Sequence, residues 1–442
     1  MPARWPFICL LALVALSSGG CALRAPLEPP ADLAITRVHV VDLTAGVLLR
    51  DQTVLVKDGL ITQVAPAGRG APPHASLVVN GAGGYLMPGL WDMHAHIRGN
   101  GMPPWISTDW MMPLLLAHGV TGVRDMNSDC DRPTDGPVCF VQMREWQEQI
   151  EAGALLAPRL LALSSLQVNP PWEYQVSEQE ARAVVRAFHE MGVTNIKTYN
   201  RLSPQALVWM LDEARVLGMR GWGHVPIRMT AAAASEAGLR SIEHARDFLF
   251  DCYPGTQALR DTVRSATVSP AAMRRMIDEH DPVRCAETFA ALVRHGTWYV
   301  PTHVTRRRDA LAGDSAFRHD PRSRYLFPLL QQDWLRHLEN MVTHDSAAAG
   351  ATLRDFYQKG LDLTGAAHRA GVRILVGTDG GDAFSFPGSA VHDEMEELVR
   401  AGLTPLEALR AATLSAAEFL DFADRYGSVA PGRRADLVLL EG

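Results

Sequence analysis

"GLWDMHAHIRGN" (residues 89–100) carries two histidines, His94 and His96, at the end of a short apolar run. Side chains alternate between the two faces of a β-strand, so these histidines share one face if the run is extended. Two imidazoles on one face can bind the same metal ion. The stretch therefore predicts a strand at 90–96 that places two metal ligands at its carboxyl end.

Strand and helix patterns alternate through the rest of the middle of the chain. Ser177 stands three residues before Glu180, which is a capping box, and Ser203 followed by Pro204 is a second helix start. Eight apolar segments between such helices predict strands, at 90–96, 120–126, 159–164, 193–199, 219–224, 239–244, 297–303 and 372–379. Eight strand–helix units in succession indicate a (β/α)8 TIM barrel of the α/β class, with a doubly wound parallel sheet as the alternative.

Short β-like segments lie at both ends of this barrel region. Asp58-Gly59 between two β-branched runs predicts a hairpin. We predict a small β-sandwich domain formed by 31–85 together with 427–442, and a barrel domain over 86–426. The barrel region exceeds the usual length of about 250 residues. The excess follows the first, sixth and seventh strands, where loops cover a barrel's active face, and the charged run at 305–324 indicates a solvated surface or a lid.

The first 21 residues are typical of a secretion signal. "MPARWPFICLLALVALSSGGC" has an early arginine, about a dozen apolar residues and small residues before Cys21. Ser18-Gly19-Gly20-Cys21 resembles a bacterial lipoprotein box, although Ser18 stands where leucine is usual. We predict a periplasmic protein or a lipoprotein anchored at Cys21, with 22–30 as a tether and no other membrane contact. An ordinary signal cleaved near Cys21 is the alternative.

Four further cysteines fit an oxidising compartment: Cys130, Cys139, Cys252 and Cys285. We predict that Cys130 pairs with Cys139 and that Cys252 pairs with Cys285. The two other connectivities stay open.

Composition limits the classes of partner that the protein can bind. The chain has 442 residues, of which 47% are hydrophobic, and this is enough apolar material for a large core. Its net charge is −7. A basic stripe is absent from the sequence, so we exclude nucleic acid as a partner. The sequence does not determine the oligomeric state, and a homo-oligomer stays open.

Polar residues recur where the predicted strands end. In a parallel barrel these ends meet at one rim, where active sites are built. Each alone has an ordinary interpretation: a hydrogen-bonded histidine, an exposed lysine or an aspartate N-cap. Their joint placement predicts a metal site formed by His94, His96, Lys197, His224, His244 and Asp379. We predict that two further residues, Tyr199 and His303, contact the substrate; packing roles are the alternative.

"LMPGLWDMHAH", Lys197, the two later histidines and "GTDGG" resemble the amidohydrolase superfamily. The closest resemblance is to the binuclear, carboxylated-lysine branch related to imidazolonepropionase and Xaa-Pro dipeptidase. It implies two divalent metal ions, with zinc favoured. One would be bound by His94, His96 and Asp379, and the other by His224 and His244. Lys197, carboxylated by CO₂, would bridge them, and Asp379 would act as general acid/base for a metal-bridging hydroxide.

The segment after His224 separates two reactions. Mononuclear deaminases of this superfamily place a glutamate shortly after that histidine, whereas "GHVPIRMT" contains no acid. The sequence therefore favours hydrolysis of a C–N amide bond in a dipeptide, an N-acyl amino acid or a cyclic amide. The alternative from another class is a non-catalytic metal-binding envelope lipoprotein.

Overall fold

The computed structural model describes residues 31–68, 74–97, 110–127, 138–165, 167–171, 174–262, 268–344 and 347–441. The predicted signal peptide and the tether lie outside these residues, and so does the predicted pairing of Cys130 with Cys139, because Cys130 is not among them. Across the described ranges, no helix combines the length and the apolar character needed to cross a bilayer.

The described residues contain thirteen strands. They are β1 (Ala31–Asp42), β2 (Val47–Lys57), β3 (Leu60–Pro66), β4 (Ala75–Asn80), β5 (Tyr85–Pro88), β6 (Leu90–Ala95), β7 (Val120–Asp125), β8 (Arg159–Leu163), β9 (Asn195–Thr198), β10 (Arg220–Gly223), β11 (Ser241–Glu243), β12 (Trp298–Val300) and β13 (Leu437–Leu440).

Helices follow most of these strands within the described residues. They are α1 (Met111–Ala117), α2 (Val138–Glu151), α3 (Glu178–Glu190), α4 (Pro204–Val216), α5 (Ala231–Glu236), α6 (Asp247–Cys252), α7 (Thr256–Thr262), α8 (Pro270–Asp278), α9 (Pro282–His295), α10 (His303–Leu311), α11 (Ser315–Arg318), a 3₁₀ helix (Pro321–Tyr325), α12 (Pro328–His344), α13 (Ala347–Arg369), α14 (Ser389–Arg400), α15 (Pro405–Ala411) and α16 (Leu414–Phe419). The capping box at Ser177 and the N-cap at Ser203 are confirmed at the starts of α3 and α4.

Strands from both ends of the described chain form one six-stranded sheet. Its order is β13-β5-β1-β2-β3, and β4 also pairs with β1. β2 and β3 pair antiparallel across the Asp58-Gly59 turn, so the predicted hairpin is confirmed. Side chains of this sheet, Val38 and Leu86 among them, form most of a separate apolar core. The division of this small domain into the two layers of a sandwich, and its boundaries, stay predictions.

The remaining strands form two parallel sheets. β9 to β12 make one in the order β12-β11-β10-β9, and β6 to β8 make the other. These seven strands lie within seven of the eight ranges predicted from the sequence. A parallel bridge between Ser164 and Asn195 connects the β8 edge to β9.

The prediction of an eighth regular strand at 372–379 is wrong, although the segment lies where that strand was expected. Leu375 N donates a hydrogen bond of 2.9 Å to Tyr299 O on β12, and Met93 N on β6 donates one of 2.9 Å to Val376 O. Residues 372–380 thus bond to an edge strand of each parallel sheet, through isolated bridges and not through a continuous ladder.

The reason lies in the "GTDGG" sequence at the end of this segment. A side chain at Gly377 would place its Cβ 2.8 Å from His94 Cβ, so glycine is needed for the close approach to β6. Asp379 has φ +56°, in the left-handed region, which ends the extended conformation. The backbone therefore leaves the strand geometry at the residue predicted to bind metal.

Asp92 links β6 to this segment through hydrogen bonds. Its Oδ1 accepts hydrogen bonds of 3.0 Å from His94 N and from Thr378 N, and Thr378 Oγ1 donates one of 2.5 Å to its Oδ2. Asp92 and Thr378 are both buried. Two segments that are far apart in sequence are thus held together directly beside His94 and Asp379.

An aromatic cluster lies between the two parallel sheets and α16. It combines side chains of β6, β10, β12, the 372–380 segment and α16, and includes Trp91, Met93, Trp222, Trp298, Leu375 and Phe419. A larger apolar core packs the surrounding helices against the strands.

Cys252 and Cys285 form a disulfide with a Cα–Cα distance of 4.7 Å, which confirms that predicted pair. The bond joins α6, which directly follows β11, to α9.

We expect Thr378→Val to lower the free energy of unfolding by about 1–3 kcal/mol. The variant keeps the shape of the side chain but leaves Asp92 Oδ2 buried without its donor. Urea denaturation measures this, with the exposed Thr44→Val as the matched control. Equal stability of Thr378→Val and the control would contradict the role given to Asp92.

Candidate metal centre

The structure brings the six predicted ligands together at the ends of β6, β9, β10, β11 and the 372–380 segment. Asp379 Oδ1 lies 2.9 Å from His96 Nε2 and 3.3 Å from His94 Nε2. Lys197 Nζ lies 3.3 Å from the same His94 nitrogen.

The two later histidines complete the cluster. His224 Nε2 and His244 Nε2 are 2.9 Å apart. The His244 ring stands 4.9 Å from the His94 ring, between centroids. The ligand atoms of His94, His244 and Asp379 all lie within 4.8 Å of one another.

Hydrogen bonds orient three of the imidazoles from behind. His94 Nδ1 lies 2.8 Å from Glu243 Oε2, and His224 Nδ1 lies 3.0 Å from Asn200 Oδ1. A carboxylate oxygen can only accept, so in neutral His94 Nδ1 carries the hydrogen, and the Nε2 lone pair faces the centre of the cluster. His224 Nδ1 also lies 3.1 Å from Arg246 Nη2, a donor. His244 Nδ1 lies 2.9 Å from Thr302 Oγ1.

Burial shapes the charges in the cluster. Desolvation lowers the pKa values of His224 and His244 well below the ordinary value, and the neighbouring positive groups add to this effect. Burial also lowers the pKa of the Lys197 ammonium to about 8. Burial alone would raise the pKa of Asp379, but His94, His96 and His244 hold it well below the ordinary value. His224 and His244 are therefore neutral imidazoles beside the Asp379 carboxylate.

The backbone carries strain at this site. His244, Thr302 and Asp379 have φ values of +73°, +47° and +56°, in the left-handed region that residues other than glycine rarely adopt. Such conformations cluster at functional sites and persist only where the surroundings fix them. Here they direct two ligands and one ligand partner towards the same point.

A cavity of about 520 Å³ opens above the cluster. Side chains of the inserted helices after β11 and β12 line it, which supports the prediction that these insertions cover the active face. The charged run at 305–324 contributes Arg306, Arg308 and Asp309 to the wall. Its lining also includes His96, Tyr199, Asn200, His224, His244, Arg246, Phe250, Met273, Met341, Leu353, Phe356, Asp379 and Asp382.

The two residues predicted to contact substrate are placed differently. Tyr199 lines the cavity, and its ring lies 4.1 Å from the His224 ring, between centroids. His303 is fully buried and is not among the cavity-lining residues. Its Nε2 lies 2.9 Å from Thr364 Oγ1. The side chain of His303 therefore faces the protein interior, and we do not include it in the proposed substrate site.

Sequence reasoning missed three residues around the cluster: Asn200, Glu243 and Arg246. Each is adjacent to a predicted site residue or two positions from one, and that proximity was the available signal. Arg246 lies within hydrogen-bond distance of Asn200 Oδ1 and lines the cavity. Glu243 also pairs with Arg124 of β7, at 2.9 Å.

The donor set fits divalent metal ions. Nε2 lone pairs of neutral imidazoles and an aspartate oxygen are ligands that zinc and similar ions accept. The Nε2 atoms of His224 and His244 converge to 2.9 Å, as expected of two ligands of one cation. The outer nitrogens of the three oriented rings are occupied by partners, as in metal sites generally.

Comparison with known proteins agrees with this geometry. The family model for the amidohydrolase family matches residues 85–442. Adenine deaminase 2 of Rhizobium meliloti is 27% identical over 417 residues, which are 93% of this chain and 54% of that protein. This chain thus spans about half the length of that relative.

Solved structures share the fold. A prolidase complexed with N-methylphosphonate-L-proline is 22% identical, with a TM-score of 0.62 and coverage of 93% of this chain and 92% of that one. Bottromycin amidohydrolase is 22% identical, with a TM-score of 0.65 and coverage of 94% and 83%. At these identities the likeness concerns the fold.

Proposed function

We propose that this chain, which belongs to the amidohydrolase family, hydrolyses a C–N amide bond of a small molecule with the help of two divalent metal ions. The observation that carries the proposal is the convergence of four imidazoles, one amine and one carboxylate beneath a single cavity. Related structures that include a prolidase and a bottromycin amidohydrolase support the reaction class.

We also propose that the two parallel sheets and residues 372–380 together make the closed barrel predicted from the sequence. The bridge between Ser164 and Asn195 supports one junction, and the backbone bonds of Leu375 and Val376 support the other. In that arrangement all six ligands lie at the carboxyl ends of the strands, where barrel enzymes place their chemistry.

The ligands divide into two groups by position. His94, His96 and Asp379 would hold one ion, and His224 and His244 the other, with zinc as our proposed metal. Lys197 stands beside His94, and as a carbamate it would add oxygen ligands to both. When bound, divalent ions act as Lewis acids that polarise a carbonyl and lower the pKa of water.

Asp379 supplies the proton transfer. Its low pKa keeps it as a carboxylate at neutral pH, so it can accept a proton from the attacking water. The same group can then donate that proton to the leaving nitrogen. Asp379 lines the cavity, as this role requires.

The lining of the cavity indicates the kind of amide. It includes apolar side chains of the inserted helices: Phe250, Met273, Met341, Leu353 and Phe356. Tyr199 and Arg246 lie on the side of His224 and offer polar groups to a carboxylate. We therefore propose substrates with an apolar group on one side of the amide and a carboxylate on the other, such as dipeptides and N-acyl amino acids; cyclic amides remain in the proposed class.

The disulfide between Cys252 and Cys285 supports the proposal that the chain works outside the cytoplasm. Secretion and lipid anchoring at Cys21 remain proposals that rest on the first 21 residues of the sequence.

Lys197→Ala is expected to lose bound metal and activity, because it removes the group that would bridge the two ions. Short carboxylic acids such as acetate or propionate should restore part of both by supplying oxygen ligands to the emptied space. Metal content and turnover with and without the acid are the measurements, and Lys57→Ala on the small sheet is the control. Unchanged metal content in Lys197→Ala would remove this residue from the site.

A panel of dipeptides and N-acyl amino acids tests the function, with zinc- or manganese-loaded protein. We expect turnover of members with large apolar groups, and we expect Phe356→Ala to lower their kcat/KM about tenfold or more, because the variant removes part of the apolar lining. Substrates with small groups should be affected less. Phe422→Ala, which is outside the cavity lining, should leave kcat/KM unchanged.

The same panel includes adenine, because an adenine deaminase is among the relatives. Turnover of adenine without turnover of any amide would overturn the proposed amide hydrolysis. The absence of a carboxylate in the segment directly after His224 favours the amide reaction.

A further inference from the structure

We propose that the buried ion pair of Arg124 and Glu243 is a positioning unit that fixes His94 for metal binding. The inference rests on the proposed function, since it takes His94 to be a metal ligand. Neither Arg124 nor Glu243 lines the cavity, so both would act through His94 and not on the substrate.

The pair crosses the interior between the two parallel sheets. Arg124 lies on β7 and Glu243 on β11, and both side chains are fully buried. Arg124 Nη2 donates to both carboxylate oxygens of Glu243, at 2.9 and 3.0 Å. Glu243 Oε2 then accepts from His94 Nδ1 at 2.8 Å. The three side chains form one continuous chain of hydrogen bonds that ends at the metal cluster.

Every other contact of the guanidinium restricts its position further. Arg124 Nε donates to Met93 O at 2.5 Å, directly before His94 in the sequence, and Nη1 donates to Ser241 Oγ at 2.9 Å. Its Cζ lies 4.8 Å from the centre of the Trp222 ring and 5.1 Å from that of Phe419. Arg124 thus holds both the carboxylate that bonds His94 and the backbone that carries His94.

Stability alone does not account for this pair. Removing two charges from water is costly, and apolar side chains of similar volume often replace a buried ion pair without loss of stability. The surroundings, Trp222 and Phe419 among them, are already apolar. A functional role of the carboxylate explains why a charged pair is buried at this position.

That function follows from the chemistry of imidazole. An ionised carboxylate can only accept hydrogen bonds, so it requires the hydrogen of neutral His94 at Nδ1. His94 Nε2 is then the nitrogen with the lone pair, and this is the atom that faces Lys197 and Asp379. Arg124 holds both oxygens of Glu243 in place. Without it, both the tautomer and the direction of the His94 ring would be less fixed.

Glu243→Gln is the direct test. The amide is a weaker acceptor than the carboxylate and can also present a donor to His94. We expect the affinity for Zn²⁺ to fall about 10–100-fold, measured on metal-free protein by competition with a chromophoric chelator. The visible absorption spectrum of Co²⁺-loaded protein should change as well, because it reports the ligand arrangement and not the stability of the fold.

Two further variants separate positioning from structural support. Arg124→Met combined with Glu243→Gln removes both charges, and it should recover stability relative to Glu243→Gln while Zn²⁺ affinity stays low. Asp251→Asn breaks another buried ion pair, with Arg260, and should lower stability while leaving the Zn²⁺ affinity and the Co²⁺ spectrum unchanged. If Glu243→Gln does not fold, the double variant decides the question.

The outcomes distinguish this inference from the proposed function. Wild-type protein that binds no Zn²⁺ would overturn the proposed function and this inference with it. If Glu243→Gln and the double variant bind Zn²⁺ as tightly as the wild-type protein, that result overturns the positioning role alone.

Discussion

The structure depends on bringing six predicted ligand side chains, whose polar atoms need partners, to one buried point. His94 lies on β6 and His96 directly follows it, but Lys197, His224, His244 and Asp379 each come from a different segment. Polar groups buried in this way are costly unless they are hydrogen-bonded or bind an ion. The fold ends each segment at the same place and hydrogen-bonds the outer nitrogens of His94, His224 and His244 from behind. Among the described residues, His96 Nδ1 is buried without such a partner.

Two buried carboxylates give most of that support. Asp92 ties the backbone of β6 to that of Thr378, which sets the distance between His94 and Asp379. Glu243 receives the outer nitrogen of His94 and is itself held by Arg124. One carboxylate thus positions the backbone and the other positions the ring. The predicted ligands lie on strands and strand ends, whereas most apolar side chains of the cavity lining come from inserted helices.

Sequence patterns predicted the local features well, for physical reasons. Short apolar runs bounded by glycine and polar residues define buried strands, and a polar residue at the end of each run marks the rim. Seven strands and the convergence of the six ligands followed from this logic. The eighth segment did not become a regular strand, because Asp379 adopts a left-handed backbone conformation that no apolar pattern reveals. His303 likewise ends a predicted strand, yet its side chain bonds Thr364, which lies on a distant helix. The Arg124–Glu243 pair joins two non-adjacent strands, and neither residue carries a local sign of its partner.

The metal content of the purified wild-type protein tests most directly whether these six side chains form the proposed binuclear metal site. After dialysis against metal-free buffer and reloading with Zn²⁺, elemental analysis by mass spectrometry should give two metal ions per chain, and Asp379→Asn should retain fewer. A wild-type value of one ion or none, or an Asp379→Asn variant that retains two, would contradict the account.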